Sequence, residues 1–292
     1  MTHDNPFHVD RWPAGIHHPD EYRPAESLAL AWDQEAHTSA RQKKVLDGWI
    51  ASLPTFSDVR HLLIPWQVNQ PLFDAVCRMR ELRTLRIKWS SIRSLERIAD
   101  LASLQALSLG SSTKIESIEP LATLSSLQVL ELENLKRISD FSPLARLTGL
   151  RSLSVTGSMW SRQTVDSLEP FARMTWLESL SVDTAHIRSL RPLARLRNLK
   201  TLHMGGRLPY TEYAWLAAKL PDTQCQWFAP YLALSFGPCP RCRSGSRVMV
   251  TGRGKPVLCR HCDAEKLAKH VAMFELARSS ARDEAFPVEQ AG

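Results

Sequence analysis

The stretch ISDFSPLARLTGLRSLSV, residues 138–155, joins two patterns within one unit. In its second half Leu153 and Val155 alternate with serines, as a short strand with one buried face requires. In its first half Phe141, Leu144 and Leu147 recur every three residues, so the apolar spacing changes from two to three or four within the unit. A simple helical bundle has no reason to switch period inside each unit. A chain that runs out along a strand and returns along its other side does, with both sets of apolar residues facing one interior.

Working outward, the same L-x-x-L-x-L strand core recurs across the middle of the chain. It begins at Leu82 (LRTLRI), Leu104 (LQALSL), Leu127 (LQVLEL), Leu150 (LRSLSV), Leu177 (LESLSV) and Leu199 (LKTLHM). The starts are separated by 22, 23, 23, 27 and 22 residues. A second block keeps phase with it: SIEPLATL, ISDFSPLARL, SLEPFARM and IRSLRPLARL. Repeats of this period cannot bury their leucines singly, so stacked neighbours must share one core.

On these motifs the chain resembles the leucine-rich repeat family, and within it the short repeats of internalin-like proteins, over about residues 59–227. The resemblance implies an α/β solenoid, right-handed and curved, with a parallel sheet on its concave side. One column departs from that pattern. Where internalin-type units carry an asparagine ladder after the strand, this chain has Ser90, Ser112, Leu135, Ser158 and Ala185. The backbone of those turns must therefore be satisfied in another way.

Both ends of a solenoid need covers. Residues 40–53 carry a helical stripe of Val45, Leu46, Trp49, Ile50 and Leu53, and VRHLLI after them reads as a degenerate first strand. PLFDAVCRM, with Pro71 at a first helical turn, reads as the returning side of that unit. At the other end YAWLAAKL reads as a helix, and PDTQCQW as a last strand carrying Asp222, Cys225 and Trp227. The resulting organisation is an irregular arm over 1–37, a helical cap over 38–58 and the solenoid with its C-terminal cap over 59–235. A zinc ribbon over 236–264 and a helix with a tail over 265–292 follow. The histidines of the arm lack the spacing of metal ligands, and Trp12 or Trp32 would lay it along the first repeat.

The ribbon is read from CPRCRSGSRVMVTGRGKPVLCRHC, residues 239–262. Cys239 and Cys242 form one Cys-x-x-Cys pair and Cys259 and Cys262 another, with sixteen residues between the pairs. Two such knuckles supply the four tetrahedral thiolates that a structural Zn2+ prefers, one ion per chain. The intervening RVMV and KPVL read as strands joined at TGRGK, and the unit resembles a zinc ribbon. Four thiolates close the coordination sphere, so the expected role is structural and not catalytic. The helix after it carries Leu267, Val271, Phe274 and Leu276 near one face.

Function is less constrained. The net charge is +7 over 292 residues, the N-terminus lacks a secretory pattern and no run of apolar residues would span a membrane. The expected setting is cytoplasmic. No HExxH, GxSxG or GxxxxGK[ST] occurs, so the expectation is a protein without enzymatic activity. Trp66, Arg83, Arg86, Lys88 and Trp89 precede Glu131 and Glu133 along the concave face, followed by Glu178, Asp183 and His203. That change of charge suits a protein partner of complementary charge, and the plain alternative is a solvated face. Arg241, Arg243, Arg247, Arg253, Lys255 and Arg260 make the ribbon basic. Those residues either contact nucleic acid phosphates or only keep a small module soluble. A third reading is an inhibitor or immunity factor for a toxin.

Overall fold

The computed structural model describes residues 5–8, 12–31, 39–235, 237–243 and 246–284. It divides into two units, residues 1–165 and 166–292.

In the first unit six strands lie parallel in chain order: β1 Ser27–Ala29, β2 His61–Val68, β3 Thr84–Ser90, β4 Ala106–Leu109, β5 Val129–Glu133 and β6 Ser152–Thr156. The repeat period sets their register. Leu85, Leu107, Leu130 and Leu153 lie in one row, and Ile87, Leu109, Leu132 and Val155 in the next. Each of these side chains is at most 1% exposed, so the rows form a continuous apolar ridge. One fully buried leucine contributes about 1.5–3 kcal/mol.

The return side consists of 3-10 turns at Glu96–Asp100, Glu119–Thr123 and Ser142–Arg146. Pro120 and Pro143 sit in the first turn, where a missing N–H costs nothing. Leu121 and Leu144 from these turns are fully buried against the ridge. On the outside Glu116 bridges Arg93 and Arg137 from neighbouring repeats at 3.3 and 2.7 Å. Such exposed pairs contribute little singly.

Helix α1, Ser39–Ser52, and α2, Gln70–Val76, cover the N-terminal end, with Trp49, Phe73 and Val76 fully buried. Asn69 caps α2 by accepting the Leu72 N–H at 3.0 Å. VRHLLI is not the first strand. β1, from within the segment read as an irregular arm, pairs Ser27, Leu28 and Ala29 with His61, Leu62 and Leu63. Ile16 bridges Leu30 beyond it. A bare β2 edge would leave a row of unpaired backbone groups. The arm supplies the missing partner, and Leu28, Ala29 and Leu30 are buried there. Trp32 and residues 1–4 lie outside the described residues.

The second unit repeats the design on a smaller scale. Helix α3 is Glu169–Ala172, strands β7 Ser179–Val182 and β8 Thr201–Met204 pair in parallel, and a 3-10 turn spans Arg191–Arg195. Helix α4, Tyr210–Lys219, follows with Tyr213, Trp215 and Leu216 buried. PDTQCQW differs from its reading as a strand: only Gln224 bridges Thr201, and Gln226–Phe228 is a 3-10 turn. Trp227 folds back instead to donate its indole N–H to the Met204 carbonyl at 2.7 Å. It lies so close over Gly206 that a Cβ there would sit 2.4 Å from the ring. The large side chain, not a further strand, covers this position.

Strands β9 Tyr231–Ala233, β10 Arg247–Val250 and β11 Val257–Cys259 form an antiparallel sheet, and helix α5 spans Ala264–Asp283. Val248, Val250 and Leu258 pack with Leu267 of α5, joined by Tyr231 and Val271. The ribbon thus shares its small core with the helix. Along α5 the buried stripe is Leu267, His270, Phe274 and Ala281, whereas Leu276 is 68% exposed. Leu276 follows Phe274 by only two residues, which turns it away from that stripe.

Candidate metal centre and binding faces

The two Cys-x-x-Cys turns sit at the open end of the β10–β11 hairpin. Residue pairing brings Cys259 opposite Arg247, twelve residues away along the chain, and the four sulfurs lie within 4.8 Å of one another. Cys242 and Cys259 are 3.7 Å apart. A tetrahedron of about 2.3 Å metal–sulfur bonds places its sulfurs about 3.8 Å apart, so the set fits a zinc-sized ion. Both turns use the same device. The backbone N–H groups of Cys242 and then Arg241 lower the Cys239 thiol below its ordinary value. Those of His261 and Cys262 approach the Cys259 sulfur at 3.4 Å each. The Cys262 thiol is pushed up to about 12, first by the neighbouring Cys242 thiol and then by burial. Crowding of this kind is relieved by a bound cation.

Asp263 braces the second turn. Its Oδ2 accepts the Cys259 N–H at 2.9 Å and pairs with the Arg241 guanidinium, which links the two knuckles. His261 is exposed and falls outside the four-ligand set. Sequence reasoning missed Asp263, although its place directly after Cys262 and at the head of α5 was a visible cue.

The basic residues of the ribbon have mixed commitments. Arg241 is tied to Asp263, Arg260 lies over the Tyr231 ring at 5.1 Å, and Lys255 lies over Tyr210 at 5.3 Å. Arg247 is half-buried on β10, while Arg243 and Arg253 are exposed. The Arg253 N–H donates to the Leu208 carbonyl at 2.7 Å and fixes the hairpin turn against α4's approach.

On the first unit the anticipated binding residues fall into separate places. Arg86, Ser108, Glu131 and Ser154 occupy one row across β3 to β6. With Lys88 and Glu133 they line a cavity of about 220 Å3. Burial raises the Glu131 carboxyl above its ordinary value, against the Ser108 hydroxyl and the charge of Arg86, which lower it. Trp66 and Trp89 line a different hollow, beside Leu46 of α1. Trp66 is 9% exposed and Trp89 46%, with the Lys88 ammonium 4.4 Å from the Trp89 ring. Arg83 precedes β3 and shares neither place. In the second unit Glu178 pairs with Lys200 at 2.6 Å, Asp183 caps the Ala185 N–H, and His203 is exposed on β8.

Sequence reasoning also missed the most exposed aromatic group among the described residues. The 27-residue step contains an inserted turn whose tip, Met159 and Trp160, is 88% and 91% exposed. Ser158 Oγ accepts the N–H groups of Trp160 and Ser161 at 3.3 and 3.1 Å. Ser161 donates to Asn134 at 2.6 Å. Gly157 admits the returning backbone of the turn, since a Cβ there would lie 2.1 Å from the Ser161 carbonyl oxygen. The longer repeat step was the available signal.

No family model and no curated protein matches the chain. Among solved structures it is similar to an internalin (inlF) from Listeria monocytogenes, at 21% identity over 60% of this chain and 49% of that one, with a TM-score of 0.49. It is also similar to internalin C2 (inlC2) of the same organism, at 28% identity over 53% and 67% of the two chains, with a TM-score of 0.44. The chain thus spans about half the length of the first.

Proposed function

We propose that this protein is a non-catalytic binding scaffold whose sheet face engages a protein partner, with a structural zinc ribbon completing its C-terminal unit. The observation that carries this reading is the charged cavity on the first sheet. Arg86 and Lys88 stand two strand spacings, about 10 Å, from Glu131 and Glu133. Rigid strands hold opposite charges in fixed order there, which selects a partner by complementarity and register. The braced Met159–Trp160 tip adds a rigid aromatic anchor of the kind interfaces use disproportionately. The charged and hydroxyl groups lining the cavity offer a partner salt bridging and hydrogen bonding.

Zinc is the ion that four clustered thiols at this separation suit best, and a closed set of four leaves no position for substrate. Cys77 and Cys225 are further free thiols, buried and half-buried. Four cysteines committed to an ion instead of to disulfides would suit a reducing, cytoplasmic setting.

The test is capture of partners by tagged protein in the presence of nuclease. A charge swap, Lys88→Glu with Glu133→Lys, should remove the principal captured protein. Arg253→Ala with Lys255→Ala should leave it in place. Capture indifferent to the swap but lost with nuclease or with the ribbon variant would overturn the reading in favour of nucleic acid.

A further inference from the structure

Arg86, the first residue of the row, is already engaged by a distant segment of this chain. Phe7 lies 79 residues before Arg86, yet its backbone carbonyl accepts a hydrogen bond from the Arg86 Nη1. The Phe7 side chain is only 2% exposed, although it sits in a segment with neither helix nor strand around it. The segment is shaped for that position. Asn5 Oδ1 accepts the Phe7 N–H at 2.8 Å, and the His8 N–H returns to the Asn5 carbonyl at 3.1 Å. The result is a tight turn with the aromatic ring turned inward and its carbonyl presented to a cation. A turn stabilised by its own asparagine loses little further freedom on docking.

We infer that the Arg86 end of the sheet face is a site for a short peptide turn that presents a buried aromatic side chain and a free carbonyl. Residues 5–8 are its resident occupant, and a protein partner carrying the same chemistry displaces them. The site has a charged donor, Arg86, and a carboxylate two strands away, Glu131, which is hydrogen-bonded by Ser108 from the strand between them. The remaining cavity of about 220 Å3 shares Arg86 with the occupied position, so an incoming segment has room to extend toward Glu133 and Thr156. The inference deepens the binding reading above, but its test needs no outside partner, so either can fail without the other.

The probe is the fluorescently labelled peptide DNPFHVD, which repeats residues 4–10. The receptors are the full chain, the full chain with Phe7→Ala, and a chain lacking residues 1–8, each checked for intact folding by circular dichroism. Both opened receptors should bind the peptide saturably at one site. The unaltered chain should bind it at least tenfold more weakly, because its own segment competes. Adding Arg86→Ala to an opened receptor should weaken binding at least tenfold, as should replacing the peptide's phenylalanine by alanine. Failure of both folded, opened receptors to bind the peptide would overturn the proposal. So would equal binding by the unaltered chain, or binding indifferent to Arg86.

Discussion

Gln163 holds Leu135 from both sides: its Oε1 accepts the Leu135 N–H at 2.8 Å, and its Nε2 lies 3.2 Å from the Leu135 carbonyl. The same amide nitrogen reaches the Ile138 carbonyl at 2.7 Å. One side chain from the inserted turn therefore satisfies the backbone at a position whose own side chain, Leu135, is apolar. Elsewhere the column uses other means. Ser90 donates to Ser112 at 2.7 Å, and the Ser112 hydroxyl donates in turn to the Gly110 carbonyl at 3.1 Å.

Gln163→Ala should destabilise the first unit by about 2–4 kcal/mol, because it strands buried backbone groups that each cost about 1–3 kcal/mol without a partner. Gln163→Leu fills the volume but makes no hydrogen bond. Equilibrium urea unfolding should place it near the alanine variant. A leucine variant as stable as the unaltered chain would show that packing and not hydrogen bonding holds the turn.

Zinc content is the second measurement. The purified chain should carry about one zinc. Cys242→Ser or Cys259→Ser should remove it, as expected when one thiolate of four is lost. Structural zinc contributes about 10–16 kcal/mol in small peptides, so the hairpin should loosen without it. Leu267 and Val271 belong to the same small core, so α5 should lose protection from hydrogen exchange together with the ribbon. Strands β1–β6 should keep theirs. Full zinc retention in both variants would refute a four-thiolate site.

His270 predicts a pH dependence for the same region. Burial, and then the charge of Lys255, lower its proton affinity, while the Pro230 carbonyl 3.1 Å away opposes them. Tyr210, edge-on at 5.3 Å, completes its surroundings. The unfolded histidine titrates near about 6.5, above the folded one. Below that pH the unfolded chain binds the extra proton first, so stability is full above about 6.5 and falls as pH drops toward the lower folded value. The thermal midpoint of the zinc-loaded chain should therefore fall between pH 7.5 and 6.0. His270→Gln should reduce that fall. An unchanged fall would assign it to other groups.

The parts of this molecule that were legible in the sequence are those written by local period. Leu107, Leu130 and Leu153 align because their spacing equals one turn of the coil, and the four cysteines meet because each pair shares one turn. The arm was harder to read, since a three-residue strand such as Ser27–Ala29 shows no period. The placement of Leu276 failed for another reason. Four apolar residues on a helix share a face only at the right spacing, and the residue that completes the α5 stripe is His270. Gln163 with Leu135, and Arg86 with Phe7, join positions 28 and 79 residues apart. No local pattern records such contacts.

The last prediction concerns the inserted turn. Trp160 at 91% exposure and Met159 at 88% are in contact mainly with water, so Trp160→Ala with Met159→Ser should change stability by less than about 0.5 kcal/mol. If the tip anchors a partner, the same change should weaken capture at least tenfold, since truncating a central aromatic anchor commonly costs about 2 kcal/mol or more. Ser161→Ala separates display from contact. It removes the 2.6 Å bond to Asn134 but leaves the tryptophan in place, so the tip becomes less ordered before binding. Capture should then weaken, but by less than in the tip variant. Equal capture by all three chains would show that the exposed tip plays no part in recognition. Loss of folding in the tip variant would contradict the solvent exposure on which the prediction rests.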